Sequence, residues 1–336
     1  AWTFPLIITL PLLITACATS KPKEGGSASS PTAATSTASL PQNDPFPRVT
    51  WSQDNGTLES TVRGIGEKFG GSLILMNGVE NRSAGKLEFH QTNFKDLAYK
   101  LAENAGLAVQ ECPSYLFLYP ATYEPLRDIS LVGRLDPAFA DVRAAMAFGS
   151  NTPLYNAFKA LSQVVGITIV GDNAIAEANC GEISLGEIPI QDALEAVLKS
   201  ARVYSFEVES TNEYIFFRAP ANTQPATALL SAETLDDRQK ALLEKQVSVV
   251  LPTPPDDAAR IELASGAKPL GKVVGSLSRQ LGAPVAVERG LEELPVNPAA
   301  FHRVRVSTAL DLLIRQWLVP EFGYQLTSDR IVIRRK

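Results

Sequence analysis

Apolar residues follow one rhythm along the chain: a helix-period stretch, a short apolar run, a second helix-period stretch and two closing runs of strand type. Leu58, Val62, Ile65 and Phe69 fall at i, i+4, i+7 and i+11, one face of an α-helix. Gly70 follows, the residue that best tolerates a left-handed stop. The apolar run SLILM occupies 72–76, and Phe94, Leu97, Ala98 and Leu101 mark the second helix. LAVQEC and YLFLYP close the pattern, and RVTW, from Arg48, opens it. The predicted unit is β-α-β-β-α-β-β.

The rhythm repeats. FHQTNFKDLA at 89–98 has a counterpart in FHRVRVSTAL at 301–310, and adding 96 and then 116 to positions in the first copy brings three copies into register. The first-helix set becomes Leu154, Phe158, Leu161 and Val165, then Leu270, Val274, Leu277 and Leu281, with Gly166 and Gly282 at the stops. The second-helix set becomes Ile190, Ala193, Leu194 and Val197, then Val306, Ala309, Leu310 and Leu313. ITIV and PVAV match the short strand, and VYSFEVES with EYIFFR and FGYQLTS with RIVIRR match the closing pair. The opening strands are expected at Arg48 (RVTW), Arg143 (RAAMAF) and Arg260 (RIEL). The fold class expected is α+β, with modules at 48–120, 141–219 and 258–336. A linker at 220–257 contains a short helix in TLDDRQKALLEK. Copies one and two are expected to pack together, with copy three more independent.

The pattern x-x-L-x-x-x-L/F-x-x-L-x-x-x-[VLF]-G, then strand, loop, strand, φ-x-x-A-L-x-x-L and two strands, resembles the STN module. This is the short N-terminal domain of secretins and TonB-dependent receptors, called N0 in secretins. Copy two, LYNAFKALSQVVGITIV then IPIQDALEAVLKSARVYSFEVESTNEYIFF, matches most clearly. Copy three departs through Pro284 in its strand and WLVPEFGY after its second helix. The resemblance implies two small sheets and two helices per module and a role in protein–protein contact. No long β-rich segment follows copy three before Lys336, so the chain is expected not to be a secretin or receptor barrel itself.

The N-terminal segment stands apart. Trp2 to Ala16 reads WTFPLIITLPLLITA, too short to span a bilayer as a helix and interrupted by Pro5 and Pro11. It suits the apolar core of a signal peptide, assigned to 1–16, although the basic residues and Met expected ahead of it are missing. Ile14-Thr15-Ala16-Cys17 resembles the lipobox of bacterial lipoproteins, which implies a lipid on Cys17; Ala18 resembles the outer-membrane sorting pattern. Residues 17–47 then form a Ser/Thr/Ala/Pro/Gly tract that lacks the apolar surface to offset its ordering entropy and is expected to be a flexible leash. The expected location is the periplasmic face of the outer membrane.

A net charge of −5 gives no basic footprint for nucleic acid. The two histidines, His90 and His302, share one repeat position in different modules, where copy two has Gly186. With no H-x-x-x-H or C-x-x-C spacing, a metal site lacks the three or four ligands it needs. Gly64-Ile-Gly-Glu-Lys-Phe-Gly70 lies inside the first helix rather than after a strand, so close helix packing is favoured over phosphate binding. Cys112 and Cys180 could bridge in an oxidising compartment or remain two thiols. The pairs Asp236/Asp237, Asp256/Asp257 and Glu292/Glu293 are loop-like. No cofactor, catalytic residue or metal ligand is nominated, and an enzyme is not expected.

The closing strands differ between copies. Leu116, Leu118, Ile215, Phe217, Ile331 and Ile333 alternate inward. The other face carries Tyr115, Phe117 and Tyr119, then Tyr214, Phe216 and Arg218, then Arg330, Val332 and Arg334. Two readings stand: these side chains pack on neighbouring modules, or they form a partner surface. The function expected is an adaptor in an envelope complex of secretin, pilus or type IV secretion core type. The alternative is a peptidoglycan or glycan binder that uses the Tyr115 ladder for stacking.

Overall fold

The computed structural model describes residues 46–123, 129–231, 234–252, 266–318 and 320–336; Cys17, most of the leash and the RIEL segment lie outside them. The first unit runs β1 (Arg48–Gln53), α1 (Leu58–Phe69), β2 (Leu73–Leu75), β3 (Leu87–Asn93), α2 (Phe94–Ala105), β4 (Leu107–Glu111) and β5 (Leu116–Pro120). The second runs β6 (Arg143–Phe148), α3 (Leu154–Val165), β7 (Thr168–Gly171), the short α4 (Asn173–Ala176), β8 (Ile183–Pro189), α5 (Ile190–Ser200), β9 (Glu207–Ser210) and β10 (Tyr214–Arg218). After α6 (Asp237–Glu244), the third runs β11 (Gln246–Leu251), β12 (Lys268–Pro269), α7 (Leu270–Leu281), β13 (Val285–Val287), β14 (Pro295–Val296), β15 (Ala299–Arg305), α8 (Val306–Arg315), β16 (Phe322–Leu326) and β17 (Ile331–Arg335). The fold is α+β; the order strand–helix–strand–strand–helix–strand–strand describes the first unit, and it recurs with the added α4 in the second and the added two-residue strands β12 and β14 in the third.

Each unit pairs its opening strand antiparallel with its third strand: β1 with β3, β6 with β8, β11 with β15. Its second strand lies parallel to its last, which pairs antiparallel with the one before: β2-β5-β4, β7-β10-β9 and β13-β17-β16. The first helices are each twelve residues long and stop at Gly70, Gly166 and Gly282, with φ of 67°, 69° and 69°. The apolar positions of both helices point into the cores; on α7, Val273 rather than Val274 is the more deeply buried of two neighbours. In each antiparallel pair the third strand carries one extra residue, at His90–Gln91, Gly186–Glu187 and His302–Arg303. Gln91 and Arg303 take φ of 50° and 49° there. These are β-bulges, which lift one amide out of the ladder and re-aim it.

Two expectations about the third unit are corrected. The strand that pairs with β15 is QVSVVL at 246–251, so the unit begins inside the segment read as linker, directly after α6, while RIEL at Arg260 lies outside the described residues. The repeat offset had hidden this because residues 252–267 separate β11 from β12 and α7, where the first two units have short turns. Nor is the third unit independent. Residues 43–336 form one compact body, and Val170 and Phe216 of the second unit sit in the third unit's core.

Gly166 and Gly275 make a matched pair, since a methyl at either meets no atom within 4 Å. Gly166→Ala is expected to lower the unfolding free energy by about 1–2 kcal/mol through its left-handed backbone alone. Gly275→Ala, in the helical interior of α7, should raise it by about 0.5–1 kcal/mol. Chemical denaturation of the two variants against the parent checks both signs.

Candidate functional site

The second helix of each later unit lies across the outward face of the preceding unit's three-stranded sheet. At the first joint β2 pairs antiparallel with β8, Leu73 opposite Ser184 and Ile74 opposite Ile183. α1 approaches β8 closely because Gly66 faces Ser184: a Cβ on Gly66 would stand 1.8 Å from the Ser184 hydroxyl. Gly66 here, and Gly64 against Trp51, thus serve packing, while Gly70 is the helix stop. Behind the strands Tyr115 and Phe117 are fully buried in the second unit's core. Lys199 of α5 stands 5.7 Å over the Tyr115 ring, with its Nζ 3.5 Å from Gln110 Oε1. Arg63 gives Nε and Nη2 to the Glu182 carboxylate at 2.9 and 3.0 Å.

The second joint repeats the first, bond for bond at several positions. The bulge amide of Gly186 donates to Ser72 Oγ at 3.0 Å, and that of His302 donates to Thr168 Oγ1 at 2.8 Å. The Asn77 amide donates to the Ser200 carbonyl at 2.9 Å, and the Asn173 amide to the Gln316 carbonyl at 2.8 Å. The Ser114 hydroxyl donates to Asp192, whereas at the second joint the Thr308 hydroxyl donates to Glu213 at 2.9 Å. Arg315 takes the place of Lys199: its guanidinium lies 4.4 Å over Phe216 and Nη1 reaches Glu209 Oε1 at 3.2 Å. Burial would raise the Glu209 carboxyl, but the Arg315 and Tyr214 hydrogen bonds outweigh it and hold it below its usual range. The guanidinium is 1% exposed, so its charge is tenable only with that partner.

The chain leading into each unit is tied to the same helix. The Leu131 amide donates to Glu195 Oε1 at 2.6 Å, and the Ala228 amide to Asp311 Oδ1 at 2.7 Å, at equivalent positions of α5 and α8. Ala228 and Leu230 then bond the Tyr324 backbone, adding an extended segment to the β16 edge.

The aromatic partner surface is therefore corrected. Tyr115, Phe117 and Phe216 are fully buried, and Tyr119, Tyr214 and Arg218 are half-buried. Tyr119 stacks on Phe117 at 5.8 Å, the Tyr214 hydroxyl donates to Glu209, and Arg218 pairs with Glu207. Only Arg330 and Arg334 of the nominated residues stand exposed, on the third unit's sheet, where Arg330 Nη2 meets Asp329 at 2.7 Å and Arg334 Nη1 meets Gln325 at 3.1 Å.

Cys112 and Cys180 are free thiols, not a bridge. Cys112 lies 3.6 Å from Lys199 Nζ, while Cys180 is held by its backbone to Thr152, Asn151 and Asn77. Burial pushes both thiols up, against reactivity. His90 is exposed and 3.7 Å from Glu88; His302 is half-buried at the second joint, where burial lowers its pKa. Among the described residues no group of three His, Cys, Asp or Glu is placed to hold a metal ion.

The joint residues on α5 and α8 escaped the sequence reading, although a signal was present. α2 keeps an exposed polar face, with Lys100 central, whereas Ala196 and Leu312 stand at that position in the later copies and are fully buried. A second helix apolar on both sides needs a second surface to cover it. No family model matches the chain, and neither curated proteins nor solved structures give a match.

Phe216→Ala is expected to cost roughly 3–5 kcal/mol of unfolding free energy as a cavity in the second joint, whereas Arg334→Ala should stay within about 0.5 kcal/mol; denaturant titration of both separates joint from surface. Asp311 gives a pH dependence. Burial, partly offset by the Ala228 amide and Arg315, pushes its carboxyl up to about 6, above the unfolded value of about 3.9. The fold therefore favours the protonated form, and this group's contribution to stability rises as pH falls from above 6 towards 4. Asp311→Asn keeps the acceptor for the Ala228 amide without the charge. Its melting temperature should exceed the parent's at pH 7.5, with the gap narrowing by pH 5.

Proposed function

We propose that the protein is a lipid-anchored periplasmic interaction protein, an adaptor that holds a three-unit stack at the end of a leash from the outer membrane. The observation that carries this reading is the joint itself. One sheet face accepts a neighbouring unit's helix and bulged strand twice within the chain, with matching bonds at several positions, which supports a unit suited to protein–protein contact at that face. The lipobox-like Ile14-Thr15-Ala16-Cys17 supports the anchor. Among the described residues no helix is long and apolar enough to cross a membrane. A secretin, pilus or type IV secretion core assembly is the kind of partner the STN-like pattern suggests. The glycan-binding alternative loses its surface, since two of the three rings meant for stacking, Tyr115 and Phe117, lie inside the first joint.

Two experiments test the reading. Cys17→Ser should move the protein from the membrane to the soluble fraction; a variant that still sediments with membranes contradicts the anchor. Crosslinking mass spectrometry on the tagged protein, purified in mild detergent from cells that make it, should join the units to a larger envelope protein. Recovery of the chain alone, or only with cell-wall fragments, contradicts the adaptor.

A further inference from the structure

The face that accepts the next unit is filled on the first two units and, among the described residues, open on the third. On the second unit its centre is Val170 and Phe216, both buried; on the third, the equivalent Ala286 and Val332 are half-exposed. Its chemistry has also changed. Arg330 replaces Tyr115 and Tyr214, and Arg334 replaces Tyr119 and Arg218. At both internal joints the incoming helix brings the cation, Lys199 or Arg315, and the sheet supplies an aromatic ring and an oxygen acceptor. On the third unit the sheet supplies the cations.

We infer that this face docks a helix of another protein with the charges of the joint reversed: a carboxylate at the position of Arg315, and a hydroxyl seven residues earlier, at the position of Thr308. The carboxylate would stand over Val332 between Arg330 and Arg334, a desolvated ion pair in place of the cation–ring contact. The hydroxyl would donate to Asp329, as the Thr308 hydroxyl does to Glu213. Arg330 already leans on Asp329 through Nε and Nη2, which fixes its fork and leaves Nη1 for a second acceptor. Space is available, since a Cβ on Gly275, at the position of Arg63 and Lys159, meets nothing within 4 Å.

A second copy of this chain fits less well. Its unfilled helix, α2, would bring a carboxylate, Glu103, to the position of Arg315, but it would also set Asp96, in place of the hydroxyl, against Asp329. It would also press Lys100 into the place where Ala196 and Leu312 are fully buried. Pro284 stands where Ser72 and Thr168 accept the bulge amide, so that bond is lost as well. The open face therefore ends the homotypic stack while remaining suited to a partner of opposite charge.

The proposal rests on the adaptor reading, and its test separates the two. A photoreactive benzoyl-phenylalanine replaces Val332, or Tyr99 on α2 as a comparison, in the full chain in cells that make it. The expected result is a Val332 crosslink to a partner helix bearing a carboxylate and, seven residues before it, a hydroxyl. The double variant Arg330→Glu/Arg334→Glu, both exposed and with unchanged circular dichroism, should lower the yield at least tenfold, and replacing the partner's carboxylate by Lys should restore it. A crosslink to α2 of a second copy, or a yield indifferent to the charge reversal, overturns the proposal. So does silence at Val332 while Tyr99 captures a partner, an outcome that leaves the adaptor reading standing; silence at both positions counts against the adaptor as well.

Discussion

A three-stranded sheet has two faces, and a unit with two helices can cover only one of them with its own side chains. The rest of this structure follows from that constraint. In the first two units the second face carries aromatic rings, which would leave an apolar patch of the kind that soluble monomers seldom expose. The next unit's second helix closes it, burying Tyr115 and Phe117 at one joint and Phe216 at the other. The helix that does so must be apolar on two sides, and α5 and α8 are buried almost all round while α2 is not. Polar groups are then enclosed between units, and three of them find a partner across the joint: Lys199 with Gln110, Arg315 with Glu209, Asp192 with Ser114.

The joints also explain what the ends look like. Stacked repeats need terminal faces polar enough to stop the stack. Among the described residues, α2 presents Asp96, Tyr99, Lys100 and Glu103 to solvent at one end, and at the other Arg330, just before β17, and Arg334, on it, stand exposed. The position of Tyr115, Tyr214 and Arg330 thus reads as ring, ring and cation through the three copies, the rings lying under a neighbouring unit's helix and the cation exposed.

Much of this was legible in the chain. The twelve-residue helices, their glycine stops and the closing strand pairs follow from apolar periodicity because local packing inside each unit imposes it. The two histidines resolve as one bulge position rather than a shared site, as the repeat register implied. The misreadings have a common physical origin. Alternation tells which residues share a face of Tyr115–Tyr119, but not whether that face meets water or another unit. The register misplaced β11 because a constant offset cannot see an insertion between a strand and its helix, and QVSVVL lay on the far side of one. The exchange of Ser114–Asp192 for Glu213–Thr308 keeps the bond and swaps donor with acceptor, so neither position looks constant on its own.

The three bulge amides give the most direct test of the stack, since they occupy one repeat position and face different neighbours. Gly186 and His302 donate across the joints to Ser72 and Thr168, while among the described residues no preceding unit stands opposite His90. Residue-resolved hydrogen exchange on the intact chain should find the amides of Gly186 and His302 strongly protected and that of His90 exchanging quickly. Equal rates at all three positions would mean that the units do not hold one another in this way, and the account would fail.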